Sequence, residues 1–191
     1  DEHDEHDEHD EHDEHDEHSQ SSQNYHVWLN INLMQQFSHR LTKRLTHIDP
    51  LNTNTYQLNF KALNHKLEQL KRHINQQLST LTTRKVVGYS NAFEYFNQAH
   101  NLTQNYSITN QHEQRLSIYK IIQAKNFIRD NQSRCLLSTI NAPDKRLKTL
   151  TEGLSINTAS IDIIGFDIAS GAKHYPKLLT DISNKIATCL Q

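Results

Sequence analysis

The spacing of apolar residues changes near residue 84, and that change limits the fold of this chain more than any other feature. Ahead of it, Tyr56, Phe60, Leu63, Leu67, Leu70, Ile74 and Leu78 recur at intervals of three or four. That period is helical and predicts one long helix over about 51–80. Such a helix spans about 45 Å, enough to run the length of a small protein. A shorter helix is predicted ahead of it over about 31–48. Leu33, Met34, Phe37, Leu41, Leu45 and Ile48 form its stripe and Asn30 its N-cap. Asp49-Pro50 separates the two, since Pro suits the first turn of a helix and breaks the one before it. The long stripe covers only about four heptads, too short a run for a coiled coil to continue.

Beyond residue 84 the apolar runs become short and strand-like, at 85–89, 106–109, 135–138 and 159–164. Helical stretches separate them, at about 92–99, 113–130, 143–152 and 174–188. Strands alternating with helices predict an α/β unit, a parallel sheet flanked by helices on both faces. Ligands of such sheets bind beyond the carboxyl ends of the strands. Ser90, after the first strand, and Asp162, late in the fourth, lie at such ends. His26 is a further polar residue, set within the otherwise apolar run Tyr25-His26-Val27-Trp28-Leu29.

Residues 1–18 are Asp-Glu-His repeated six times. With no apolar side chain the segment can bury nothing, so its composition predicts disorder. It concentrates imidazole nitrogen and carboxylate oxygen, ligands suited to borderline metals such as Zn²⁺. His3, His6, His9, His12, His15 and His18 then form a metal-collecting arm of low affinity and many registers. Metal capture by it weakens as pH falls through the range where His protonates. Two other readings stand beside this one: an acidic solubilising tail with incidental His, and an affinity tag, for which a perfect repeat is typical.

The repeat holds 12 of the 22 acids and no Lys or Arg, which leaves 10 acids against 20 Lys and Arg. An arm of −12 is therefore attached to a body of +10, hidden in a net charge of −2. The basic side chains of the body are scattered and carry no aromatic-basic motif, so nucleic acid is not the expected partner. The arm is free to fold back on its own body. The body is long enough for one ordinary domain, after the polar linker 19–24. No 18-residue apolar run exists, so no membrane-spanning helix is expected. No signal peptide is visible, and the chain starts without Met, as a mature or truncated product would. Cys135 and Cys189 lack the close spacing of zinc motifs. They read as one disulfide, which implies an oxidising compartment, or as two reduced thiols.

Taken in order, these segments resemble the zinc-binding solute receptors of bacterial ABC importers, the ZnuA-like group of the cluster that carries zinc and manganese. A His- and acid-rich tract precedes His26-Val27-Trp28-Leu29, and a helix, Asp49-Pro50 and a long helix follow. Lys85-Val86-Val87-Gly88-Tyr89-Ser90-Asn91-Ala92-Phe93-Glu94-Tyr95-Phe96 is similar to the family's VVFHDAFGYF segment. Asp162-Ile163-Ile164-Gly165 stands where the family has D-P-L-G. Cys135 and Cys189 occupy positions that form a disulfide in some members.

The resemblance covers essentially the whole chain but only the C-terminal portion of such a protein. It implies a two-lobed receptor, with a first lobe and its own His ligand outside this chain. Residues 1–24 correspond to the His-rich loop and linker, 25–82 to the end of the first lobe and the long inter-lobe helix, and 83–191 to the C-terminal α/β lobe. His26 and Asp162 match cleft ligands. Zn²⁺ is the implied cargo, a membrane permease the partner, the periplasm the compartment and a monomer the state. Catalysis is not implied, and no HExxH or nucleophile–base pair suggests a metallohydrolase.

Two departures from the family pattern bear on the site. The ligand position of the FHDAF element, His or Glu in the family, is Ser90 here, a poor zinc ligand. The acidic Glu-Pro after the third strand is replaced by Ser138-Thr139-Ile140-Asn141. Two recognisable ligands are too few for a closed tetrahedral site. His112 and His174 could add to them only if the fold brought them close; both are expected to be exposed. The alternative is a degenerate member that buffers or chaperones metal only through the arm.

Overall fold

The computed structural model describes residues 23–109 and 116–191. The repeat with its six His, its expected disorder, and His112 lie outside the described residues. Two helices come first, α1 (Ile31–Ile48) and α2 (Thr53–Ser79). The Asn30 side chain accepts hydrogen bonds from the Asn32 and Leu33 amides at 3.0 and 3.3 Å, satisfying two of the donors left open at the start of α1. Asp49 ends that helix, and Pro50 opens the short turn Pro50–Asn52 that leads into α2. The 4-3 spacing of residues 56–78 is thus one continuous helix, as its period requires.

The rest alternates strand and helix: β1 (Lys85–Ser90), α3 (Glu94–Ala99), β2 (Thr103–Thr109), α4 (Ile118–Asp130), β3 (Cys135–Thr139), α5 (Asp144–Thr151), β4 (Asn157–Ile161) and α6 (His174–Leu190). The four strands pair in parallel in the order β2-β1-β3-β4. Side chains alternate between the two faces of the sheet, as strand geometry demands. Val86, Cys135 and Leu137 pack with Ile74 and Leu78 of α2, Phe96 of α3, and Leu179, Ile182 and Ile186 of α6. Val87, Tyr89 and Leu136 face Ala124 and Ile128 of α4 and Leu150 of α5 on the opposite side. Cys135 and Cys189 are joined, with Cα atoms 5.5 Å apart. Of the two states left open by the sequence, the disulfide is the one found, and it fastens β3 to α6.

Three boundaries differ from expectation. β2 starts at Thr103, three residues earlier, because an edge strand can begin with polar residues that carry no apolar signal. α4 starts at Ile118, where the Ser117 hydroxyl accepts the Lys120 amide at 3.2 Å. β4 covers residues 157–161 rather than 159–164. Its end is chemical: the Asp162 carboxylate captures the next backbone amides and turns the chain out of the sheet, placing Asp162 just past the strand.

Candidate metal-binding groove

The segment that carries His26 is bound to the segment that carries Asp162, though they are far apart in sequence. The Trp28 indole donates to the carbonyl of Ile163 at 2.9 Å. The Tyr175 hydroxyl, on α6, donates to the carbonyl of Trp28 at 2.8 Å. Burial pushes the Tyr175 hydroxyl pKa up, so it stays a donor at any physiological pH. The His26-Val27-Trp28-Leu29 motif therefore does two jobs. Leu29 is fully buried in the core, and Trp28 brings the imidazole of His26 to the loop of Asp162.

Between them lies a groove of about 510 Å³ at the carboxyl ends of β3 and β4. His26, Thr139, Asn141 and Asp162 contribute polar groups to it, while Trp28 and Phe166 are its aromatic walls. Asn141 belongs to the stretch that replaces the family's acidic pair. It can offer an amide oxygen but no charge. A larger hollow of about 600 Å³ runs along the outer edge of β4 beside α6, and among the described residues Lys185 is the only side chain lining it that can carry charge. No carboxylate or imidazole among those residues lines it.

Asp162 is held tightly. Its Oδ1 accepts the amides of Ile164 and Gly165, both at 2.9 Å, and its Oδ2 accepts that of Phe166. Partial burial works to raise its pKa. The three amides, and then the charge of Lys185, outweigh that and hold the carboxyl below its usual 3.8. The group is thus an anion throughout the neutral range. Oδ1 already uses both lone pairs, so a cation would be met by Oδ2 alone, as a one-oxygen ligand. Gly165 is required in this turn. Its φ is +80°, and a Cβ there would lie 2.8 Å from the His174 Nε2.

His26 presents the complementary nitrogen. Its Nδ1 lies 2.8 Å from Asn24 Oδ1, an acceptor, so Nδ1 carries the proton and the lone pair is on Nε2. Neutral imidazole in a fixed tautomer is the form a metal takes.

The other expected residues are placed differently. Ser90 is 1 % exposed and does not line the groove. Its hydroxyl accepts the Ala92 amide at 3.5 Å and caps the turn Asn91–Phe93. His174, expected exposed, is half-buried. Its Nε2 lies 2.9 Å from the Ile164 carbonyl and its Nδ1 3.2 Å from that of Ile168. It braces the Asp162 loop from behind and is occupied by carbonyls rather than turned into the groove. Among the described residues no group of three or more His, Cys, Asp or Glu is arranged to hold a metal. The fold brings His26 and Asp162 to one groove and, among the described residues, supplies no third ligand of those types.

A family model described as "Zinc-uptake complex component A periplasmic", ZnuA, matches residues 1–189. The high-affinity zinc uptake system protein ZnuA of Brucella abortus (strain 2308) is 26% identical over 165 residues, 86% of this chain and 49% of that protein. The metal ABC transporter substrate-binding lipoprotein SloC of Streptococcus mutans serotype c is 27% identical over 172 residues, 86% of this chain and 55% of that protein. This chain therefore spans about half the length of the curated relatives it matches. A crystal structure of ZnuA superposes with a TM-score of 0.73 at 22% identity, covering 87% of this chain and 60% of that one. The laminin-binding protein Lmb of Streptococcus agalactiae gives 0.74 at 20%, covering 87% and 64%. At such identities the two structures speak for the fold alone, a sheet and helices like those found here. The family model spans the repeat, the His26 motif and the α/β unit alike, and the chain belongs to the ZnuA family of zinc-uptake components.

Proposed function

We propose that this chain is the C-terminal part of a periplasmic zinc receptor serving a high-affinity ABC importer. Its family consists of transport receptors, not enzymes, and zinc is the family's metal. The observation that carries the reading is the meeting of His26 and Asp162 on one groove, one an imidazole whose Nδ1 faces an acceptor and the other a locked anion. Such a nitrogen–oxygen pair suits Zn²⁺ and is incomplete alone, since a catalytic or transport site uses at least three protein ligands. The remaining ligands come from a first lobe that closes over the groove. Residues 25–82 are the end of that lobe and the inter-lobe helix, residues 83–191 are the second lobe, and residues 1–24 are the loop and linker that collect metal. Closure on zinc is the signal read by the membrane permease. No helix among the described residues is long and apolar enough to cross a membrane. The receptor acts as a monomer beside the permease.

A second reading is favoured by one observation: Ser90, at a family ligand position, is buried as a turn cap. In that case the cleft is degenerate, and the chain buffers zinc only through residues 1–18. Competition titrations of zinc on the protein with its first lobe restored separate the two. Removing residues 1–18 from it is expected to delete several weak sites and leave one that Asp162→Asn and His26→Ala each weaken. Loss of all binding on removal of the repeat establishes the second reading instead, and no zinc binding by the two-lobed protein with its repeat overturns both.

A further inference from the structure

The segment just before His26 is polar and looks like a spacer, yet Asn24 makes four contacts that converge on one chemical outcome. Its Oδ1 accepts the backbone N–H of His26 at 3.0 Å and faces the His26 Nδ1 at 2.8 Å. Its Nδ2 donates to the carbonyl of Asn91 at 2.6 Å and lies 3.3 Å from Glu94 Oε2. The other oxygen of Glu94 accepts the Ser107 hydroxyl at 3.2 Å. A connected path thus runs from β2 through Glu94 at the start of α3 to Asn24 and the imidazole. Asn91 and Glu94, the partners of its amide NH₂, lie 67 and 70 residues from Asn24 in sequence.

The direction of the amide is fixed by this network. Rotating it by 180° would place its oxygen against a carbonyl and a carboxylate, and its NH₂ against the His26 amide hydrogen. Three of the four contacts would be lost together, and only the ring could adapt, by changing its tautomer. With Oδ1 aimed at the ring, Nδ1 must donate, so Nε2 is the nitrogen with the lone pair. Trp28 holds the other side of the ring, the two centroids 5.2 Å apart, and is itself tied to Ile163.

We propose that Asn24 is a positioning residue for His26, selecting its Nδ1–H tautomer and fixing the ring relative to the groove. The role extends to the metal through the zinc reading given above, on which that extension rests. The anchor points are informative: Asn91 directly follows Ser90, the position of a family ligand. Asn24 thereby fixes the imidazole relative to the β1–α3 turn, even though Ser90 itself has turned away. Outer-shell partners of this kind are worth about 10–100-fold in metal affinity when removed.

The test reads the tautomer directly and needs no metal. In the full chain labelled with ¹⁵N-histidine, long-range ¹H–¹⁵N spectra at a pH of about 8.5, where ordinary imidazole is neutral, report which nitrogen is protonated. The His26 signals are assigned by their loss in His26→Gln. The native chain is expected to show the Nδ1–H form. Asn24→Ala should move His26 toward the mixture of tautomers of a solvated ring. Asn24→Leu, of similar size and without the amide, should do the same. The dispersed amide spectra of the two variants control for folding. An unchanged tautomer in either folded variant overturns the inference. Zinc added to the same variants of the protein with its first lobe restored gives the second arm, where Asn24→Ala should weaken zinc binding, read at the His26 ring, about 10-fold or more. If the tautomer moves as expected but zinc leaves the His26 ring untouched in every variant, the positioning role stands and the zinc reading of the groove falls.

Discussion

The first and last long helices of this chain carry the same kind of apolar stripe and meet different fates. α6 has 17 residues and buries eight of them against the sheet, α2 and the disulfide. α1 has 18 residues and buries one, Ile31, while Phe37, Leu41 and Ile48 stand exposed. α2 divides between the two conditions. Leu67, Ile74 and Leu78 in its C-terminal half are buried on the sheet, whereas Leu58 and Leu63 nearer its start are exposed. Period 3.6 states that a helix has an apolar face, but burial of that face is what stabilises the protein. The half of the chain that reads as a core is a core. The half that reads as a hairpin of two amphipathic helices holds itself mainly by contact between α1 and α2, including Gln35 to Asn64 and Glu68.

The sharpest way to break this asymmetry is to cut the tie that only the α/β half possesses. The Cys135–Cys189 bond closes a loop with a sequence separation of 54. Constraining the unfolded chain over such a loop is worth about 4 kcal/mol in the chain-entropy model. Cys135→Ala with Cys189→Ala, or reduction, should lower the denaturation midpoint of the α/β half by that order. An unchanged midpoint under reducing conditions would show that α6 docks by packing alone.

A matched pair of truncations sharpens the contrast. Ile186, fully buried on α6, should cost about 2–5 kcal/mol when changed to Ala, from lost transfer energy and the cavity left behind. Phe37 on α1 is 56 % exposed, and Phe37→Ala should shift stability by about 0.5 kcal/mol or less. Chemical denaturation of both variants measures the difference. Equal losses would mean that the α1 stripe is covered in solution by something beyond the described residues.

Much of this contrast was legible before any coordinates. The spacing of 56–78 defined α2, Asn30 marked the start of α1, and the alternation after 84 defined a parallel sheet with ligands at its carboxyl ends. His26 and Asp162 stood out because each sits in a polar position within a recognisable motif, and the fold brings both to one groove. What could not be read depends on contacts between distant segments. The polar linker concealed Asn24, whose partners lie beyond β1. The apolar run 159–164 suggested a longer strand, since nothing local reveals that Asp162 will cap its own loop. The disulfide required a Cα separation that composition does not give, and Ser90 required knowing that a hydroxyl at a ligand position would turn to cap a helical turn instead.

The seam between the two halves carries a pH dependence. His100 closes α3 and is buried, with its Nδ1 2.7 Å from Asn75 Oδ1 on α2 and its ring 4.6 Å from that of Phe96. Burial first, and then the charge of Lys71, push its pKa down from 6.5 to about 4. The native state therefore keeps it neutral, while the unfolded chain takes up a proton as pH drops below 6.5. Stability is unaffected above that value, declines between 6.5 and about 4, and levels off below, with a total loss from this group of about 3 kcal/mol. Denaturation curves at a series of pH values should show that slope, and His100→Gln should flatten it. A slope unchanged in the variant would assign the acid sensitivity to other groups.

A small effect of unusual sign is expected where the α/β half is best packed. Tyr89, on β1 and 1 % exposed, lies among Ile108, Ala124 and Ile128, and its hydroxyl has no hydrogen-bond partner among the described residues. An unpaired buried hydroxyl costs about 1–3 kcal/mol relative to one that is satisfied. Tyr89→Phe removes that group and leaves the ring in place, so it should be neutral or raise stability by up to about 1 kcal/mol. Most core substitutions do the reverse, which makes the sign of the change the measurement that matters. A loss of more than about 1 kcal/mol would mean that the hydroxyl finds a partner in solution, an ordered water being the simplest, and that this face of the sheet is less dry than its apolar lining implies.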